Sequence, residues 1–179
     1  MKSSTVKDLK AILLADEWIV KILKKHAELE LPDSWIGAGF VRNKMWDVLH
    51  ETITRTPLND IDIIYFDKSD SINNGLLEKQ LNESFPEVEF SLKNQAVMHM
   101  RHNHLPYKDS EEAIQYWVET ATAIAVRWNG DEIECIAPYG VKDLFNLKLK
   151  PIDSSKIDVL KQRAKDKRWL ELWPKLKIS

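Results

Sequence analysis

The spacing of hydrophobic positions changes period several times along this chain, and each change marks an element. From Thr5 to His26, apolar Val6, Leu9, Ile12, Leu13, Ile19, Val20 and Leu23 recur at three- and four-residue steps, which predicts one helix. Leu31-Pro32-Asp33 breaks it. Ser34-Trp35-Ile36 leads into Gly37-Ala38-Gly39, and helical spacing resumes from Phe40 to Leu49. Thr54 to Asn59 is polar and holds Pro57, so it reads as loop. Ile61 to Phe66 is a β-prone run with Asp60 and Asp62 at its head. A helix is expected from Ser71 to Phe85, closed by Pro86. Val88 to Leu92 then alternates as a second strand, with Glu89, Ser91 and Lys93 on one face.

Further on, Asn94 to Met100 predicts a short helix and His102 to Asp109 a loop. Ser110, followed by Glu111 and Glu112, starts a helix running through Trp117. Ala123–Trp128 and Glu132–Ile136 flank Asn129-Gly130-Asp131, a compact hairpin signal. Pro138-Tyr139-Gly140 is a turn, Leu147 to Lys150 a last short strand, and Ser154 to Trp173 a basic amphipathic helix. Two strands joined by helices, then a hairpin, predict an α+β fold: a mixed β-sheet with flanking helices. No repeat and no linker interrupts it, so residues 1–179 read as one domain, with a core of about 31–151 between the two terminal helices.

Composition narrows the classes. The 26 Lys and Arg against 28 Asp and Glu leave a net charge of −2, which excludes a protein held to polyanions by bulk charge. The single cysteine, Cys135, has no disulfide partner in the chain and sits in a strand pattern as a small hydrophobe. Residues 1–15 lack a signal-peptide pattern, and no apolar run approaches the roughly 20 residues of a membrane span, so a cytoplasmic location is expected. The 7 Trp imply an aromatic core or a flat-walled pocket for a planar ligand; Trp18, Trp35, Trp46, Trp117 and Trp128 lie at positions expected in the core.

Candidate chemistry centres on Asp60 and Asp62. Two apart on a strand, they project from one face and converge. Carboxylates held that close repel unless a cation lies between them, and Mg²⁺ is the natural partner. Gly37, Ala38 and Gly39 let backbone N–H groups approach a phosphate, the following helix adds its positive end, and Arg42 supplies a charge. Taken singly, Gly-x-Gly reads as a tight turn and Asp-x-Asp as a solvated strand end. Together, with one helix between them, they form the phosphate cradle and metal-binding pair that nucleotidyl transfer requires.

The stretches Gly37-Ala38-Gly39-Phe40-Val41-Arg42-Asn43, Trp46-Asp47 and Asn59-Asp60-Ile61-Asp62-Ile63-Ile64-Tyr65-Phe66-Asp67 resemble motifs of a bacterial nucleotidyltransferase-like family of the DNA polymerase β superfamily. So do Lys93-Asn94-Gln95-Ala96 with Met98-His99, Thr120-Ala121-Thr122, Ala137-Pro138-Tyr139-Gly140 and Asp143-Leu144-Phe145, a likeness running from about Trp35 to Pro151. The resemblance implies the polymerase-β-like fold, with Gly37 to Gly39 positioning the triphosphate and Asp60 and Asp62 binding Mg²⁺, of the two-metal type. It also implies a third carboxylate on the next strand. Ser91 aligns there, with Glu89 two residues earlier on the same face, so either Glu89 completes the catalytic set or the site holds two carboxylates.

Lys93, Asn94 and Gln95 follow the second strand, where they reach a nucleotide or cap backbone. His99, His102 and His104 fit no common zinc spacing and read as a polar loop. Lys161, Arg163, Lys165, Lys167 and Arg168 read as a solvated face, with a patch steering an acceptor as the alternative. The expected activity is Mg²⁺-dependent transfer of a nucleoside monophosphate from an NTP to an acceptor hydroxyl, on a small molecule, RNA or protein. The alternatives are a catalytically silent nucleotide-binding or regulatory module of the same fold, and half of a two-protein system whose helical partner covers the cleft.

Overall fold

The computed structural model describes residues 5–179. Its centre is a five-stranded mixed sheet built from β1 (Trp35–Gly37), β2 (Asp60–Tyr65), β3 (Glu89–Asn94), β4 (Ala125–Trp128) and β5 (Ile133–Ile136), in the order β3-β2-β1-β4-β5. Within this sheet β2 and β3 run parallel, joined by the crossover helix α4 (Asn74–Ser84), whose first turn is capped by the Asn73 side chain. The other pairings are antiparallel, and β4 and β5 form the expected hairpin. This is the α+β mixed sheet that the strand patterns predict.

The single N-terminal helix expected over Thr5–His26 is instead two, α1 (Val6–Leu14) and α2 (Glu17–Ala27). The reason is local: Asp16 turns extended and its carboxylate accepts from the Ile19 N–H, so it caps a new helix. Thr5 and Asp8 form a capping box at the start of the first. Both helices bury Leu9, Leu13, Ile19, Ile22 and Leu23 in the main core, with Ile61, Ile63, Phe90 and Leu92 from the sheet face beneath.

Beyond β1, α3 (Gly39–Leu49) crosses to the loop before β2; α5 (Gln95–His102) and the short α6 (Ser110–Ile114) follow β3, and α7 (Lys142–Phe145) follows the hairpin. The long C-terminal helix is also broken. A 3₁₀ turn at Ser154–Lys156 leads into α8 (Ile157–Asp166), and Arg168, at φ 53°, separates it from α9 (Trp169–Leu172). The chain then returns as β7 (Lys177–Ile178), parallel to β6 (Lys148–Leu149). Trp169 and Trp173 thereby lie edge-on to Trp46 of α3, at ring separations of 5.4 and 5.0 Å, all three within 1% of full burial. Truncating one such ring to alanine costs roughly 3–5 kcal/mol. Aromatic packing thus fastens the last segment to the helix behind the glycine turn.

Candidate active site

The period of β2 sorts its side chains. Ile61 and Ile63 face the core, completely buried, while Asp60 and Asp62 leave the opposite face. The parallel register sets Asp60 level with Glu89, Asp62 with Ser91 and Ile64 with Lys93. The β3 side chain that reaches the aspartates is Lys93, whose ammonium pairs with Asp62. Glu89 stands exposed at the start of β3, and neither it nor Ser91 lines a cavity beside the pair. Burial, and then the adjacent Asp62 charge, raise the Asp60 carboxyl above its ordinary value; Lys93 and Lys167 oppose this, and Glu89 adds slightly to it. Asp60 accepts no side-chain hydrogen bond among the described residues.

Next to the pair opens a cavity of about 260 Å³. One wall is the start of α3, where Ala38 and Gly39 line it and no side chain caps the first turn, so its N–H groups are free for an anion. The unusual backbone of the glycine turn falls on its middle residue: Ala38 has φ 52° and ψ −123°, while neither Gly37 nor Gly39 has positive φ. Gly37 has a different task. A Cβ there would lie 2.9 Å from the Trp117 ring and 3.2 Å from the Ile124 carbonyl, so only glycine lets that ring cross β1.

The other wall comes from the C-terminus. Arg163 and Lys167 line the cavity together with Trp169, Leu172 and Trp173. The basic last helix is therefore more than a solvated face: two of its cations stand beside the aspartates, while Lys161, Lys165 and Arg168 remain exposed.

Arg42 lines the same cavity but is built into the fold. It is 5% exposed, gives two hydrogen bonds to Asn43 Oδ1 and one to Thr122 Oγ1, and stacks on Trp169 at 4.4 Å. Burial lowers its pKa to about 10, opposed first by Glu119. Glu119, fully buried, accepts from Thr122 at 2.6 Å and from Arg163 at 3.1 and 3.3 Å, with Arg42 at 3.9 Å. This Arg42–Glu119–Arg163 cluster holds α8 against the glycine turn. Glu119 escaped the sequence reading, although its neighbour Thr122 belongs to a recognised motif. Asp47 does the same work on the other side, accepting from Trp173 Nε1 at 2.8 Å and from Thr56 at 2.7 and 2.9 Å.

Asn94 lies outside the cavities. Its amide accepts from the Asp67 and Ala96 N–H groups and donates to the Asp67 carbonyl and Asp70, pinning the loop after β2. Gln95 donates to the Lys93 carbonyl. His104 accepts from or donates to Tyr107 at 2.6 Å, and no group of three or more possible metal ligands occurs among the described residues. Burial pushes the Cys135 thiol up to about 11, which suits a packing residue. No helix among the described residues is long and apolar enough to cross a membrane.

A family model described as nucleotidyltransferase matches residues 24–178. That span includes α8, α9 and β7, beyond the Trp35–Pro151 likeness seen in the motifs. An NMR structure described as revealing a CCA-adding enzyme head domain is 31% identical, covers 99% of this chain and 97% of that one, and superposes with a TM-score of 0.83. A CCA-adding enzyme in complex with CTP (13% identical, TM-score 0.59) and one with ATP (15%, 0.57) share the fold over 96% of this chain. The chain spans 43% of each of those two proteins. No curated protein sequence matches.

Proposed function

Because the chain belongs to this nucleotidyltransferase family, within the polymerase β-like superfamily, we propose that it transfers a nucleoside monophosphate from an NTP to an acceptor hydroxyl, with Mg²⁺ and release of pyrophosphate. The observation that carries the reading is the Asp60–Asp62 pair, which repels itself at the edge of a cavity that Arg42, Arg163, Lys167 and a free helix N-terminus also line. The donor set fits the metal: the two hard carboxylates leave positions for water and substrate phosphate, which Mg²⁺ prefers. Asp60 and Asp62 would hold it, and when bound it supplies Lewis acidity at the phosphates.

The chain's own groups do the rest. The first-turn N–H groups of α3 receive phosphate oxygens, and Arg163 and Lys167 neutralise the charge that builds on the leaving pyrophosphate. Lys93 leaves Asp62 for the α-phosphate as substrate enters. The acceptor oxygen bonds to the α-phosphorus, the bond to pyrophosphate breaks, and the acceptor proton passes to solvent or Asp60.

Incubation with labelled NTPs, Mg²⁺ and a cell lysate is expected to yield a labelled adduct that Asp60→Ala and Asp62→Ala abolish; an equally active double variant would overturn the proposal. The Lys93–Asp62 pair favours one second reading, a silent nucleotide-binding module in which the ammonium occupies the metal's place. Calorimetry separates the two, since the silent module binds nucleotide without Mg²⁺ and releases no pyrophosphate.

A further inference from the structure

A second cavity, of about 330 Å³, adjoins the first. The two share Ala38, Asp62, Lys93 and Arg163, and are lined beyond that wall by different residues. Beyond the shared residues, the first adds the charges of Arg42, Asp60 and Lys167 beside Trp169, Leu172 and Trp173. The second adds no charged side chain and is walled mainly by rings and hydrocarbon: Tyr107, Tyr116, Trp117, His102, Met98 and Ile64. Tyr107 and Tyr116 stack at 5.2 Å and 25°, and His104 backs Tyr116 at 4.5 Å. Tyr116 is nevertheless 44% exposed. The close approach at Gly37 is what lets Trp117 form this wall.

In-line displacement at phosphorus needs the entering and leaving oxygens on opposite sides of the reacting atom. A basic cavity and a ring-lined cavity meeting at Asp62 and Lys93 provide two such sides. The basic one suits pyrophosphate. The other suits the body of a compound whose flat ring packs on Tyr116 and Trp117 and whose hydroxyl points toward Asp62. We propose that the second cavity is the acceptor subsite and that it selects a hydroxyl compound carrying a planar heteroaromatic ring, such as a nucleoside. This rests on the nucleotidyl-transfer reading for the role of the hydroxyl, but occupancy of the cavity can be read without turnover.

The test is NMR of the full chain, following the Met98 methyl and the Tyr116 and Trp117 ring signals during titration with adenosine. The donor site is first saturated with Mg²⁺ and an ATP analogue carrying a methylene bridge between the α- and β-phosphates. Adenosine should shift those signals with the analogue still bound. Tyr116→Leu should weaken adenosine on the order of tenfold while Tyr116→Phe, which keeps the ring, binds normally, and the analogue's affinity should be unchanged in both. Replacing adenosine by adenylyl-adenosine distinguishes a free nucleoside from the end of an RNA as the source of the ring. If the analogue itself shifts Met98 and Tyr116 and excludes adenosine, the cavity holds the donor's base and the proposal fails. It fails equally if adenosine moves none of these signals. Loss of transferase activity alone would leave both binding results standing, so the two readings fail separately.

Discussion

Two sets of carboxylates lie within one small region and are treated in opposite ways. Asp47 and Glu119 are buried and surrounded by donors: the Trp173 indole and Thr56 for the first, Thr122 and Arg163 for the second. Asp60 and Asp62 stand half-buried at a cavity edge and repel one another, with one ion pair, from Lys93 to Asp62, and the Lys167 charge acting on Asp60. A buried acid with a full set of hydrogen bonds stitches elements together; a pair of carboxylates that repel each other at a cavity edge is poised for a cation. The saturated pair also builds the other's surroundings, since Glu119 holds Arg163 and Asp47 holds Trp173, and both of those residues line the cavity.

Variants can break this contrast. Asp62→Asn should lower transferase activity by several kcal/mol of barrier, on the order of a thousandfold. It should change unfolding free energy by less than about 1 kcal/mol, because its partner Lys93 is solvent-accessible. Pyrophosphate release and a denaturant titration measure the two effects. Glu119→Ala should invert the pattern by leaving Arg42 charged and buried without its carboxylate counter-charge, a loss of about 3–5 kcal/mol that would lower Tm by roughly 10 °C. If Glu119→Ala melts like the parent protein, the stitching role is wrong.

Trp173→Phe keeps most of the ring packing but removes one donor from Asp47. Thermal melting should show a smaller loss, about 1–3 kcal/mol. Asp60→Asn should have the least effect on stability and the opposite sign. Its carboxyl titrates higher folded than unfolded, so the folded state holds the proton more tightly and stability falls as pH rises through that window. The amide removes this penalty. The variant should melt slightly above the parent protein at neutral pH, with the gain vanishing once pH drops below the ordinary Asp value of 3.8.

The candidate site was legible in the chain to different depths. Asp60 and Asp62 could be placed on one face of β2 from their spacing, and Lys93 on one face of β3 with Glu89 and Ser91, because strand period is local. Arg42 and Asn94 were found as polar residues beside the right motifs, yet their partners, Thr122 and Glu119 for one and Asp67 and Asp70 for the other, belong to segments brought in by packing. Gly37 was marked by its motif, whereas its reason, the Trp117 ring crossing β1, lies 80 residues away in the chain (117 − 37). The helix breaks at Asp16 and Arg168 were missed because an apolar stripe continues across them in sequence while the backbone does not.

By itself the sequence determined most of the main helices and strands, the mixed α+β sheet, the shared face of the acidic pair and the family motifs. The first three follow from periodicity or spacing within a few residues, and the last from resemblance. Only the tertiary structure decided which charges the acidic pair meets. The Trp46–Trp169–Trp173 cluster and the Arg42–Glu119–Arg163 cluster draw the last segment back over the glycine turn, placing Arg163 and Lys167 beside Asp60. That closure depends on burial of large rings between distant segments, a long-range packing effect that no local pattern of the chain encodes.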